Sequence, residues 1–338
     1  MVLNEYRIDN NMLHKKKLGK NALTDIIIRG SDSTTPWAGT FFHYTSPEGL
    51  IGILESRTLF FTDCQYLNDY SERLTINTEL DLFWHNNQRN YDKEFLKLIK
   101  NVRVDKFEDT GFSYMDEGDV LTNCRYFVLS ATHDKDSLSM WKYYAKNSTY
   151  NGYCLGLTTW ALVDEWIDRE TGVAIEEGDV IYSSNDKQIK ILKAVEKLYS
   201  LWCTYKISNG LNQKIIEEFK SWISITSLFF KHECFSTEQE YRFIAISPVD
   251  KLKDLYYEYD QKRYKMYDFR IVNGVLTPYI KMPFNFWNTD ECWAVSSIGI
   301  GPSINGIQME NGLKQFLKSF TYKMEDCKIY HSRIPLRY

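Results

Sequence analysis

The sequence predicts an α+β domain with a central, mostly antiparallel split sheet, and three observations carry that expectation. The stretch Phe41–Arg73 packs a strand, a helix, a second short strand and a polar turn into one unit. Strand-length runs recur along the chain, at 126–131, 152–157 and 240–246, and Asn273-Gly274 supplies a two-residue hairpin turn between two more. Residues 186–230 carry helical apolar spacing throughout, as a hairpin set into the strand-bearing chain would.

In the opening unit, Phe41, His43 and Thr45 fall on one side of a strand and Phe42 and Tyr44 on the other. Ser46-Pro47-Glu48 starts a helix, with a hydroxyl cap, proline at the first helical position and an acid in the first turn. Leu50, Ile51, Ile53 and Leu54 form its apolar stripe, and Thr58–Thr62 returns as a strand. Helical spacing spans Glu79–Lys100, whereas Asp105–Asn123 reads as an acidic surface loop.

The continuous run Tyr126–Ala131 is a buried strand, after which Asp136-Ser137 caps a helix bearing Leu138, Met140, Trp141 and Tyr144. A strand at Gly152–Leu157 leads to a helix over Thr158–Glu170. Val173–Ser184 reads as a bent strand or strand pair with an acidic turn at Glu176–Asp179. In the hairpin, Leu192, Val195, Leu198 and Trp202 form one stripe, and Ile215, Phe219, Trp222 and Ile223 the other, with Gly210 between them. Phe235–Ile246 has strand alternation with an acidic start. A strand at 295–300, a helix near 310–320 and a last strand at 327–331 follow. Residues 1–35 read as an N-terminal arm and 36–338 as one domain with a helical insertion at about 186–231.

Composition narrows the function classes. A net charge of −4 gives no global attraction to nucleic acid, although a local basic face remains compatible with it. The 7 cysteines show neither CxxC nor paired spacing with histidine, which suits free thiols in a reducing cytoplasm. The first twenty residues lack the apolar core of a signal peptide, and no run of about 20 apolar residues predicts a membrane span. The common glycine-rich nucleotide loops, HExxH and GxSxG are absent.

The polar residues that remain are His43-Tyr44, Asn68-Asp69 with Glu72, Trp141 with Tyr144, and Glu238-x-Glu240-Tyr241-Arg242. A period of two aims Glu238 and Glu240 at one face of a strand, where mutual repulsion favours a cation, water or a sugar hydroxyl nearby. Surface acids, a turn-forming Asn-Asp pair and a core Trp–Tyr pair are the plain alternatives.

A wider pattern gathers these groups. It runs from His43-Tyr44-Thr45 through Leu67-Asn68-Asp69 with Glu72, Met140-Trp141 with Tyr144-Ala145 and the Gly152-led strand. It continues with Glu238-x-Glu240-Tyr241-Arg242, Ile298-Gly299-Ile300-Gly301-Pro302 and Ser332-Arg333-Ile334-Pro335. In this order over about residues 40–338, it resembles a bacterial family known mainly as a domain of unknown function. Phe235 stands where that family carries tryptophan, and Leu336 where it carries tyrosine.

The family in turn resembles the ADP-ribosyltransferases, above all DNA-targeting toxins and RNA 2′-phosphotransferases. That likeness implies an ADP-ribosyltransferase-like split sheet, NAD as substrate, and ADP-ribosyl transfer or NAD cleavage in toxin or phage-defence biology. Nucleic acid or protein would be the acceptor, and an antitoxin a possible partner. Glu240, Glu238 and His43 would be catalytic, with Glu240 foremost in stabilising the oxocarbenium-like ribose. His43, Tyr44, Asn68, Asp69, Glu72, Trp141, Tyr144 and Arg242 would bind NAD, the arginine at its pyrophosphate. Two rival functions stand beside this one. One is a non-catalytic module binding a nucleotide or a nucleic-acid end; the other is a metal-dependent nuclease-like or phosphotransfer enzyme using Asp69, Glu72 and the late glutamates.

Overall fold

A computed structural model describes residues 40–67, 72–104, 111–114, 121–144, 151–158, 173–205, 210–259, 261–283, 295–320 and 327–335. The expected arm, Asn68, Asp69 and the helix expected beyond Thr158 lie outside these residues. The described elements are β1 (Thr40–Thr45), α1 (Pro47–Ser56), β2 (Thr58–Asp63), α2 (Thr75–Asn87), α3 (Lys93–Ile99), β3 (Gly111–Tyr114) and β4 (Leu121–Thr132). Next come α4 (Leu138–Tyr144), β5 (Tyr153–Thr158), β6 (Ala174–Asp179), α5 (Ser184–Tyr205), α6 (Leu211–Thr226) and β7 (Glu240–Pro248). Finally β8 (Tyr256–Tyr259), β9 (Lys262–Lys265), β10 (Tyr267–Val272), β11 (Val275–Pro283), β12 (Val295–Ile300), α7 (Gly306–Lys318) and β13 (Lys328–His331) complete the described chain.

The architecture is α+β. One mixed, mostly antiparallel sheet runs β10-β11-β2-β4-β1-β5-β12-β13, with β3 and β7 also on β4 and β6 on β7. Among the described strand pairs, β12 and β13 alone run parallel. Strand alternation divides the core into layers. Phe127, Leu129 and Ala131 of β4, with Phe243 and Ala245 of β7, meet α1 and α7 on one face. Tyr126, Val128, Ile244 and Ile246 meet α2, α3, α5 and α6 on the other. The helical hairpin thus buries Val195, Leu198, Trp202, Phe219 and Trp222 directly against sheet residues. Among the described residues no helix is long and apolar enough to cross a membrane.

Local signals in the sequence translate closely where they act within a few residues. Ser46 Oγ accepts the Gly49 amide at 3.1 Å and Pro47 opens α1. Leu50, Ile53 and Leu54 are buried, while Ile51 turns outward. Asn273 and Gly274 both take positive φ, 49° and 81°, the pairing a type I′ hairpin needs between β10 and β11.

Four segments differ from expectation. Glu79–Lys100 is two helices, because Tyr91 is extended and Asp92 caps a new start by accepting the Glu94 amide at 2.9 Å. The expected loop at 105–123 contains β3 and the beginning of β4, paired Gly111↔Cys124 to Tyr114↔Leu121. The acidic turn Glu176–Asp179 is part of β6, drawn into register with the long β7. Phe235–Glu238 is not strand: a 3-10 segment spans Glu233–Glu238, Gln239 is left-handed at φ 43°, and β7 begins only at Glu240.

Candidate functional site

The site grows from the edge of β4 that faces away from β7. Val128 pairs with Thr62 of β2, whereas Thr132 pairs with Phe42 of β1. Ser130, midway between, turns its carbonyl to neither strand's backbone. It accepts instead from His43 Nδ1 at 2.8 Å. A carbonyl can only accept, so Nδ1 carries the proton and Nε2 is left as an acceptor whenever the ring is neutral. Neutrality is favoured. Burial lowers the His43 pKa against the opposing pull of the Ser130 carbonyl, and the Arg270 charge lowers it further.

The hydroxyl of the same Ser130 donates to Glu240 Oε1. Glu240 is 2% exposed and receives four donors in all. Arg242 Nε reaches Oε1 at 2.8 Å and its Nη2 reaches Oε2 at 2.9 Å, while Lys231 Nζ lies 3.0 Å from Oε2. Burial alone would raise this carboxyl, but Arg242, Lys231 and Ser130 outweigh it and hold the pKa at about 2. Arg242 is equally committed: Nη1 donates to Leu228 O at 2.6 Å and Nη2 also to Glu72 Oε1 at 2.7 Å. Glu72 lies 3.5 Å from Lys231, and its pKa is raised, by burial first, despite both cations.

Glu238 completes the group. Its Oε2 accepts from Lys231 Nζ at 2.8 Å, and its Oε1 has no hydrogen-bond partner among the described residues. The two glutamates therefore do converge, by a route other than strand alternation: the left-handed Gln239 folds the 3-10 segment back so that both meet Lys231. Three carboxylates surround two cations. Lys231 is raised in pKa because Glu240 and Glu72 outweigh its burial, and Phe235 lies under its ammonium at 4.9 Å. Among the described residues no group of three or more His, Cys, Asp or Glu side chains is placed to hold a metal ion.

The remaining expected residues fall in two places. Tyr144 is near the cluster: burial raises its pKa, and Glu240 and Glu238 raise it further. Tyr44 and Trp141 pack together instead, ring centroids 4.6 Å apart. Trp141 is 0% exposed and donates Nε1 to Asp136 at 2.9 Å, so it offers no face to a ligand. The Tyr44 hydroxyl donates to Asp134 O at 2.8 Å and accepts from the Ser137 amide at 2.9 Å, pinning the turn before α4.

Lys231, Ser130, Tyr182 and Arg270 were not signalled by any motif. Tyr182 Oη accepts the Glu240 amide at 2.9 Å. Lys231 is placed by a stitch across the hairpin's ends, where the Ile181 amide donates to Phe229 O at 2.7 Å and the Lys231 amide to Ile181 O at 3.2 Å. A lysine directly after the buried Phe229-Phe230 was the one available hint.

Residues 140–243, which carry the Met140-Trp141, glycine-led and Glu238-x-Glu240-Tyr241-Arg242 segments, match a family model described as a protein of unknown function (DUF2971). The similarity is thus to an uncharacterised family, and it covers the helical hairpin with Lys231, Glu238, Glu240 and Arg242, while Glu72 and Ser130 lie outside it. No curated protein and no solved structure matches the chain.

Proposed function

We propose that this protein binds NAD where β1 and β2 part on β4, and cleaves it or transfers its ADP-ribosyl group. The parting of those strands would be the split of an ADP-ribosyltransferase-like sheet. The observation that carries the proposal is Ser130, which ties His43 through its carbonyl and Glu240 through its hydroxyl. An acceptor nitrogen and a carboxylate cluster thereby meet at one strand edge, the pair of groups that ribose recognition and oxocarbenium stabilisation require.

The carboxylates divide the work. Glu240 has both oxygens occupied by Arg242, Lys231 and Ser130, so it holds the cluster together. Glu238, with Oε1 unengaged among the described residues, is the better placed to oppose charge building on the ribose. Tyr144 borders the same carboxylates. His43 Nε2 accepts a ribose hydroxyl.

Nicotinamide release from NAD tests this. Glu238→Gln keeps shape and hydrogen bonding and removes the charge, so turnover falls about a hundredfold, about 3 kcal/mol of transition-state stabilisation, with NAD affinity little changed. Equal turnover in Glu238→Gln and wild type removes Glu238 from the mechanism.

One observation favours a second reading, a non-catalytic nucleotide-binding module: the saturation of Glu240 and Arg242 within the protein. NAD binding with no turnover in the wild type under varied conditions selects it. A metal-dependent enzyme gains less support, because Lys231 and Arg242 already sit among the three carboxylates.

A further inference from the structure

Arg270 lies on β10, the edge strand of the sheet, and reaches back over β11 to β2. Its Nη2 donates to Thr62 Oγ1 at 2.7 Å, and Thr62 is the residue through which β2 pairs with Val128 of β4. The guanidinium carbon lies 5.2 Å from the Tyr279 ring centre and 5.7 Å from that of Phe60. Among the described residues no carboxylate forms an ion pair with it, and its Nε is buried without a hydrogen-bond partner. Asp268, two residues earlier on the same strand face, is taken by Lys281 at 2.7 Å. Burial lowers the Arg270 pKa, with only the Tyr279 phenol opposing, and the Arg270 charge is felt at His43.

Arg270 is half-buried, and the buried side of its guanidinium is costly to keep, since ring contacts and one hydroxyl do not replace the hydration lost there. A guanidinium also presents paired N–H groups whose geometry fits two phosphate oxygens at once. Arg242, the arginine that the sequence pattern assigns to pyrophosphate, has every nitrogen committed to Glu240, Glu72 or Leu228. We infer that Arg270 is the anion anchor of the site and takes the phosphate oxygens of a nucleotide ligand, while Thr62, Phe60 and Tyr279 hold its guanidinium in place. The choice of a pyrophosphate as that anion rests on the NAD reading above; the anchor itself does not.

Calorimetric titration of wild type, Arg270→Met and Arg270→Lys with inorganic pyrophosphate, NAD and nicotinamide riboside tests the anchor. In Arg270→Met, pyrophosphate and NAD affinities fall at least tenfold, while nicotinamide riboside, which has no phosphate, binds as before. Arg270→Lys, a point charge without the fork, lies between. The melting temperature of Arg270→Met equals or exceeds that of wild type, and the His43 pKa, followed by NMR, rises. Unchanged pyrophosphate and NAD binding in Arg270→Met overturns the anchor and leaves the NAD reading standing. A melting temperature lowered by several degrees also overturns it, because the arginine would then be a prop of the fold. Pyrophosphate binding that depends on Arg270, with no NAD binding by the wild type, keeps the anchor and removes the NAD reading. A wild type that binds neither removes both.

Discussion

Arg242 and Arg270 are the same residue on strands of the same sheet, the first fully buried and the second half-buried, and they have opposite company. Arg242 donates to two carboxylates and a carbonyl and is 2% exposed. Among the described residues Arg270 has one hydroxyl, two rings and a buried Nε without a hydrogen-bond partner. A guanidinium whose donors are all spent inside the chain positions other groups. One left with spare donors and no counter-ion is equipped for something that arrives from outside. The arginine inside the conspicuous Glu-x-Glu-Tyr-Arg pattern is the first kind, and the one in an unremarkable tyrosine-rich stretch is the second.

The comparison is broken or sharpened most directly by removing each charge in turn. Arg242→Met leaves Glu240 and Glu72 buried with Lys231 alone, and costs about 3–5 kcal/mol in urea unfolding. Arg270→Met deletes a half-buried charge that has no ion pair among the described residues, and stays within about 1 kcal/mol of wild type. Similar losses in the two variants would dissolve the distinction.

Acid unfolding probes the Arg242 side. Glu240 is held at about 2 against an ordinary 4.5, so the unfolded chain takes the proton first as the pH falls. Its stabilising effect is complete above about pH 4.5 and is lost on the way to 2. Glu72 is shifted upward and acts in the opposite sense, contributing stability that declines as pH rises past its ordinary value. Glu240→Gln therefore flattens the acid limb of stability against pH by about 2 kcal/mol, measured from urea midpoints between pH 5 and 2.5. An unaltered limb would show that Glu240 is not the group held ionised.

The smallest effect belongs to the Arg270 side. His43 is shifted downward, by burial and by Arg270, so protonation below about pH 6.5 favours the unfolded chain. The wild type loses stability between pH 7.5 and 5.5 through this group. His43→Gln loses less, and so does Arg270→Met, where the histidine titrates nearer its ordinary value. Parallel pH profiles in all three would separate His43 from Arg270.

Legibility in the sequence follows the distance over which each feature is decided. The Ser46 cap, the Asn273-Gly274 turn and both stripes of the helical hairpin are settled within a turn or two of chain, and they stand as read. A period of two makes Glu238 and Glu240 strand neighbours, yet the left-handed Gln239 between them carries no side-chain signal that such a period could register. Lys231 and Ser130 are invisible for a different reason. Each matters only through partners that folding brings in: Glu72 for the lysine, His43 and Glu240 for the serine. Trp141 shows the opposite failing, a conspicuous aromatic in a motif whose place is wholly internal.

The stitch at Ile181, Phe229 and Lys231 bears on how such a protein can change over generations. The chain leaves for the helical hairpin and returns from it at a single doorway, closed by two backbone hydrogen bonds that no side chain is needed to make. Changes of length at the far end of the two helices, about the exposed Gly210, leave the ammonium of Lys231 where it was. That far end is thus the part of the hairpin with most licence to drift in length and surface, while Val195, Leu198, Trp202, Phe219 and Trp222 hold the helices themselves against the sheet.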